Sequence, residues 1–158
     1  MRHSDEDAAA ASFAKDEYLV AIKLLLREGD KLLIVKDQWG AWDVPGGRIR
    51  RDQFDVPDEQ VLREKIDFEI GKAVQYELGD IKTTLRVERH DTGRGRVRIY
   101  AVCYEGKYLG GEIDLGEYGV RYEWIDIKTT DLEKYGTDEN WIPQLKKYQD
   151  EVIGRIES

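Results

Sequence analysis

The sequence predicts an α/β (α+β) fold, in which strands precede and follow an amphipathic helix in the middle of the chain. Two apolar runs flank a glycine-containing turn near the start, a pattern typical of a β-hairpin. The apolar spacing becomes helical from Asp58 to Ile70, and strand-like runs resume after it. A length of 158 residues suits one domain. We therefore assign residues 1–15 to an N-terminal tail or short helix and residues 16–158 to the domain.

The first predicted element is a hairpin whose strands run from Tyr18 to Arg27 and from Lys31 to Lys36. Gly29 lies in the turn between them, where glycine is common. In the segment before the hairpin, Ser4 can cap a short helix together with Asp7, three residues on. A tail without regular structure is the alternative for the same residues.

The central helix is predicted from its apolar stripe and from the residues at its two ends. Four apolar residues share one face: Val61, Leu62, Ile66 and Ile70. Asp55 is a candidate N-cap, and Pro57 is tolerated in a first turn. Gly71 can end the helix, because glycine readily adopts the backbone conformation found after a last turn.

Four strand-like runs and a second helix complete the predicted order. The runs are Ala73–Leu78, Ile81–Arg89, Arg96–Tyr104 and Val120–Ile127, and the segment from Thr92 to Gly95 is typical of a hairpin tip. A last helix is expected from about Asn140 to Ile156, because apolar residues recur there at helical spacing. Its stripe consists of Trp141, Leu145, Tyr148, Val152 and Ile156.

The composition excludes several classes of protein. A net charge of -8 argues against general binding of nucleic-acid backbone. The one cysteine, Cys103, excludes an intramolecular disulfide and fits a reducing compartment. No apolar stretch approaches the roughly 18 residues of a membrane-spanning helix, and the N-terminal segment lacks a basic signal-peptide head. We therefore expect a cytoplasmic protein without a membrane partner, and a homodimer stays open.

The segment from Gly40 to Gly47 reads GAWDVPGG and leads towards the amphipathic helix that ends before Gly71. A hairpin, a PGG turn, one helix and then more strands is an order that resembles the Nudix hydrolase family. The local resemblance covers Gly40 to Gly71, and the strand order extends it over most of the chain. It implies an α/β/α sandwich with a mixed β-sheet. It also implies hydrolysis of the pyrophosphate of a nucleoside diphosphate linked to another group, with Mg²⁺ or Mn²⁺ as cofactor and a nucleotide-derived small molecule as partner.

The chemistry explains why such a site needs these residue types. A pyrophosphate is polyanionic, and metal ions neutralise its charge and activate water. Mg²⁺ takes oxygen ligands in octahedral geometry. Glutamates three or four residues apart share one helix face and can supply those oxygens. A Gly-Gly turn lets the backbone come close to the metal or the phosphate.

The helix departs from the family pattern, and two alignments compete. The first aligns Gly71 and the apolar stripe, so that Lys65, Phe68 and Glu69 take the places of the three glutamates. The second aligns Arg63 and Glu64 with the Arg-Glu pair of the pattern, and it places Lys65 at a buried position. We prefer the first alignment, because burying an unpaired ammonium is unfavourable by several kcal/mol. In that alignment only Glu69 remains of the three glutamates.

The resemblance and the local charges together give the candidate site. Glu69 and Glu64 are the expected catalytic residues, and the expected metal ligands are Gly47, Glu69 and Glu117. Arg48, Arg50, Arg51 and Trp39 are the expected substrate-binding residues, because guanidinium groups bind phosphate and an indole can stack on a base. Asp52, Asp58 and Glu59 are further acids that could stand in for missing ligands. A second basic group on a hairpin, Arg94, Arg96, Arg98 and His90, is interpreted as a solvated surface.

Two functions are compatible with this pattern. The first is a metal-dependent Nudix pyrophosphohydrolase weakened by its missing glutamates. The second is a catalytically poor Nudix-fold module that binds a nucleotide or a partner.

Overall fold

A mixed seven-stranded sheet is the centre of the fold. The structure is a computed structural model that describes residues 15–137 and 139–157, with side chains through residue 154. The Ser4 cap lies outside the described residues. The strands are β1 (Leu19–Glu28), β2 (Lys31–Asp37), β3 (Trp42–Asp43), β4 (Gly46–Arg48), β5 (Gln75–Asp91), β6 (Gly95–Gly110) and β7 (Gly119–Asp126).

The strand order β3-β2-β1-β6-β5 places the first strand in the middle of the sheet. β1 runs parallel to β6, from the pair Leu19 and Ile99 to the pair Arg27 and Lys107. The other pairings are antiparallel, including β4 on β1 and β7 on β2. A central strand covered on both faces should be apolar throughout, and residues 21–26 of β1 are all buried.

Helices cover both faces of the sheet. Helix α1 (Asp58–Ile70) packs on one face, where Ile22, Leu24 and Leu33 belong to its core cluster. Helix α2 (Lys146–Glu157) packs on the other, where Leu25 and Ile34 lie in the second cluster. The expected sandwich of a mixed sheet between helices is therefore confirmed. None of the described helices is long and apolar enough to cross a membrane.

Helix α1 adopts the register in which the apolar stripe is buried. Val61, Leu62, Ile66 and Ile70 are almost fully inaccessible, whereas Lys65 stays partly exposed. Gly71 ends the helix with a φ of 104°, as expected. The prediction of Asp55 as N-cap was wrong. The carbonyl of Pro57 accepts the amides of Gln60 and Val61, so the helix begins after Pro57 and beyond the reach of that side chain.

The largest difference after the helix is the length of the β5–β6 hairpin. The two runs predicted on either side of Gly79 form one strand, β5, whose register shifts between Leu78 and Ile81. A Cβ at Gly79 would lie 3.1 Å from the carbonyl oxygen of Glu105. Glycine therefore marks an irregularity inside a strand here rather than its end.

The last helix begins later than predicted. Asn140 has a φ of 57°, which is incompatible with a right-handed helix. A turn of 3₁₀ helix at Pro143–Leu145 then leads into α2. Trp141, Leu145, Tyr148 and Val152 are buried as predicted, and the Ile156 side chain lies outside the described ones.

Candidate functional site

A cavity of about 210 Å³ opens where β1, β4 and β5 approach the end of α1. Its wall is unusually charged for a site beside the core. The cationic and acidic residues that line it are Lys23, Arg48 and Arg89, and Asp37, Asp43, Glu69 and Glu139. Tyr118 and Trp141 supply aromatic surface, and Gly46 and Gly47 supply backbone. The cavity therefore suits a small polar or charged group.

Glu69 projects from the last turn of α1 into this cavity and is only 5% exposed. Its Oε2 accepts a hydrogen bond of 2.6 Å from the Gly46 amide, and the Tyr118 side chain also hydrogen-bonds the carboxylate. Burial raises the pKa of Glu69 to about 7, although Lys23 and the Gly46 amide favour the charged form. A carboxyl group with such a pKa can exchange a proton near neutral pH.

Lys23 is the cation at the base of the cavity. Its ammonium donates a 2.7 Å hydrogen bond to Oδ2 of Asp43 and lies 4.9 Å from the centre of the Trp141 ring. Burial alone would lower the pKa of Lys23, but the carboxylates of Asp43 and Glu69 outweigh burial and raise it. Lys23 is therefore charged at neutral pH and offsets part of the negative charge of two neighbouring acids.

Two arginines border the same cavity from different strands. Arg48 of β4 pairs with Asp91 at 3.3 Å, and Arg89 of β5 pairs with Glu139 at 3.2 Å. Both side chains are about a third exposed. The Nε of Arg89 is a buried donor to which no described residue offers an acceptor. Both guanidinium groups could therefore bind an anion.

The glycine turn holds the backbone tightly against its neighbours. A Cβ at Gly46, whose φ is 144°, would lie 2.1 Å from the carbonyl oxygen of Ile22. A Cβ at Gly47 would lie 3.0 Å from the side chain of Lys65. The space beside Gly47 is therefore taken by the aliphatic part of a lysine at one of the positions where the family pattern has a glutamate.

Three of the residues predicted for the site line the cavity: Gly47, Arg48 and Glu69. Their placement agrees with the prediction, and their roles stay predictions.

The other predicted site residues lie elsewhere. Glu64 is exposed and pairs with Arg50, which also pairs with Asp52 at 3.0 Å. Arg51 is exposed in a turn of 3₁₀ helix, and Trp39 is 78% exposed. Glu117 is exposed too, and its neighbour Tyr118 reaches the cavity instead. None of these side chains lines the cavity that holds Glu69, and their roles stay predictions.

The remaining acids and the second basic group are also surface features. Asp58 and Glu59 are exposed in the first turn of α1. On the hairpin, Arg96 and Arg98 both hydrogen-bond the Glu88 carboxylate. The interpretation of that group as a solvated hairpin fits these contacts.

The cavity residues that sequence reasoning missed carry two usable signals. Lys23 interrupts the apolar run of β1, so a buried role could have been inferred from its position in VAIKLLL. Arg89 continues the alternation of Leu85 and Val87, which face the core. Glu139 has no comparable signal, because it lies in a loop that only the tertiary fold brings close.

The side chains do not form a site that fits Mg²⁺. No three Asp, Glu, His or Cys side chains gather into a metal-binding group in the part of the chain that the structure describes. Phe68 turns outward and is 71% exposed, with its ring against Tyr118. Asp43 and Glu69 already accept hydrogen bonds from Lys23 and Gly46. The described side chains therefore offer a hard cation no ready cluster of three acidic ligands.

The architecture is shared with solved Nudix structures. No protein-family model and no curated protein sequence matches the chain. The MutT protein from Methanosarcina mazei Go1 is similar with a TM-score of 0.66 and 16% identity, over 91% of this chain and 99% of that one. An ADP-ribose pyrophosphatase from Streptococcus suis gives 0.59 and 18%, over 86% and 92%. The NUDIX domain of Shewanella oneidensis NrtR, complexed with ADP ribose, gives 0.58 and 16%, over 95% and 99%. The chain therefore has the Nudix fold, as the sequence resemblance implied.

Proposed function

We propose that this chain is a Nudix-fold binding protein that holds the diphosphate of a nucleoside diphosphate derivative in the cavity and hydrolyses it poorly. The observation that carries the proposal is the convergence of Arg48 and Arg89 on one cavity beside Gly47. Guanidinium groups bind phosphate oxygens through pairs of parallel hydrogen bonds. A ligand oxygen would also satisfy the Nε of Arg89, a buried donor that would otherwise be unfavourable.

The size of the cavity limits which part of the ligand it encloses. Pockets that enclose a whole drug-sized ligand measure roughly 300–1,000 Å³, whereas this cavity measures about 210 Å³. We therefore assign the diphosphate to the cavity and the nucleoside to the surface around it. The complex of the similar NrtR domain with ADP ribose makes that compound a suitable first probe.

Poor hydrolysis follows from the ligand set. Of the three helix glutamates in the family pattern, this chain keeps only Glu69, with Lys65 and Phe68 at the other two positions. Without a cation to neutralise the reacting phosphate and activate water, the transition state loses most of its stabilisation. The weakened pyrophosphohydrolase is the second candidate, and Glu69, with a pKa of about 7, is the observation that favours it.

Calorimetric titration of the protein with ADP-ribose tests the binding proposal. We expect saturable binding that weakens by about tenfold or more, or 1.4 kcal/mol, in Arg48→Ala and in Arg89→Ala. Arg96→Ala is the matched control, since this exposed arginine also pairs with a carboxylate but lies outside the cavity. Equal affinity in all three variants, or no binding by the wild type, would contradict the proposal.

Release of AMP from ADP-ribose with Mg²⁺ or Mn²⁺ separates the two candidates. We expect slow release that Glu69→Gln hardly changes. Rapid release that Glu69→Gln abolishes would instead support the pyrophosphohydrolase.

A further inference from the structure

The strongest unexplained feature of the cavity is a buried ammonium that faces two carboxylates. Lys23 lies on the face of β1 that points to the second core cluster, between Ala21 and Leu25, and is only 5% exposed. Burying an ammonium is unfavourable unless opposite charges surround it. Asp43 and Glu69 supply those charges, so the lysine and the two acids form one electrostatic unit.

The oxygens of this unit are already engaged. In Asp43, Oδ2 accepts the Lys23 ammonium at 2.7 Å and Oδ1 accepts the amide of Val44 at 2.7 Å. In Glu69, Oε2 accepts the amide of Gly46 at 2.6 Å, and Tyr118 donates to the same carboxylate. A divalent cation that entered here would compete with these donors for the carboxylate lone pairs and would be repelled by the ammonium.

The same unit determines how strongly the cavity repels an anionic ligand. Two uncompensated carboxylates at its base would repel a diphosphate. In many enzymes a bound metal ion neutralises such charges. In this chain Lys23 hydrogen-bonds Asp43 and also attracts the Glu69 carboxylate, so part of the negative charge of the two acids is offset before a ligand arrives. The arginines at the border can then bind the ligand without a further cation.

We propose that Lys23 is a built-in cation of the cavity, which takes the place of a divalent metal and makes binding of the nucleoside diphosphate ligand independent of metal. The proposal rests on the proposed function for the identity of the ligand. Its statement about the cation can be tested without any ligand.

The wild-type protein provides two direct measurements. ADP-ribose is titrated in excess EDTA and again in excess MgCl₂, and we expect dissociation constants that agree within about twofold. MnCl₂ alone is then titrated into the metal-free protein and followed by calorimetry and by the spin resonance of free Mn²⁺. We expect no saturable Mn²⁺ binding.

The variant Lys23→Met removes the charge and keeps an unbranched apolar side chain. We expect its affinity for ADP-ribose in EDTA to fall by about tenfold or more. Added MgCl₂ should recover part of that loss, because Oδ2 of Asp43 then has no donor and no ammonium repels the cation. Lys36→Met is the matched control, since Lys36 also lies over a tryptophan, Trp42, but does not line the cavity. Its affinity should not change in either medium.

The outcomes distinguish this proposal from the proposed function. Wild-type binding of ADP-ribose only with MgCl₂, or saturable Mn²⁺ binding by the wild type, overturns the role of Lys23 and leaves the binding function intact. Absence of ADP-ribose binding in both media overturns the binding function. In that case the Mn²⁺ titrations still test the role of Lys23. Saturable Mn²⁺ binding by Lys23→Met but not by the wild type supports that role, and the absence of Mn²⁺ binding in both proteins contradicts it. If Lys23→Met does not fold, the two wild-type measurements decide alone.

Discussion

The change Glu69→Gln tests the electrostatics of the cavity through stability rather than through activity. Glutamine keeps an oxygen that can accept the Gly46 amide, so the hydrogen bond of 2.6 Å has an equivalent in the variant. It removes the charge whose burial raises the pKa of Glu69 from 4.5 to about 7. Any pH dependence in the difference between the two proteins then comes from this carboxyl group.

The sign and size follow from the two pKa values. Because the pKa of Glu69 is higher in the folded protein, folding favours the protonated form, and deprotonation reduces the stability. The loss is absent below the unfolded pKa of 4.5, grows as the pH rises, and is complete above the folded pKa of about 7. One pKa unit corresponds to about 1.4 kcal/mol, so the full loss is about 3 kcal/mol. Between pH 5 and pH 8, the variant should gain about 2 to 3 kcal/mol relative to the wild type.

Urea unfolding at several pH values from 5 to 8 measures this difference. Glu64→Gln is the control on the same helix, because Arg50 lowers the pKa of the exposed Glu64 carboxyl. Glu64 is therefore ionised in both states over the whole range, and its difference should stay flat. A flat difference for Glu69→Gln would show that Glu69 is ionised with an ordinary pKa. In that case the account of a desolvated carboxyl beside Lys23 would be wrong.

Three further changes test the backbone, the register and the metal site. Gly46→Ala should lower the free energy of unfolding by about 2 kcal/mol or more, since a Cβ would lie 2.1 Å from a backbone oxygen. Gly93→Ala, at a φ of 87° but in open space, should lower it less in urea unfolding. By the same method, Ile66→Ala should lower the free energy of unfolding by about 2–5 kcal/mol and Phe68→Ala by under about 1 kcal/mol, because Ile66 is buried and Phe68 is exposed. Equal losses of stability would reject the register of α1. The double change Lys65→Glu with Phe68→Glu, made in the Lys23→Met background so that no ammonium repels the cation, should strengthen Mn²⁺ binding in a calorimetric titration, and turnover should rise with it if water and substrate stay positioned. Unchanged metal affinity would argue against the alignment with the family pattern.

Local physics was sufficient to predict α1. The apolar residues recur at helical spacing, and a shift by one residue would have turned Lys65 into the core. The large unfavourable energy of a buried ammonium therefore decided between two alignments that sequence similarity left open. The N-cap was harder to place, since Asp55 has the side chain of a good N-cap, whereas Pro57 offers no side-chain acceptor. Only the backbone hydrogen bonds of Pro57 show where the helix begins.

The sequence predicted only the cavity residues that follow the PGG turn or lie on α1. Arg48 and Gly47 follow directly from that turn, and Glu69 follows from the register of α1. Arg89 and Glu139 come from distant segments, and the long β5–β6 hairpin and the loop before α2 bring them together. Lys23 was assigned to an apolar strand without a role of its own. The β-propensity of a run of residues says little about one charged member of that run whose partners are remote in sequence.

The same arrangement accounts for both halves of the proposed function. An interaction accelerates a reaction only where it is stronger in the transition state than in the ground state. Lys23 lines the cavity but is buried and hydrogen-bonded to Asp43, so its charge is held by that carboxylate in every state and cannot follow the charge that develops on a reacting phosphate. Arg48 and Arg89 border the cavity, and the contacts proposed for them with the diphosphate already form in the ground state. A cavity whose cation is fixed to its own carboxylates should therefore bind a diphosphate. It should leave the phosphoanhydride bond largely unactivated towards attack by water.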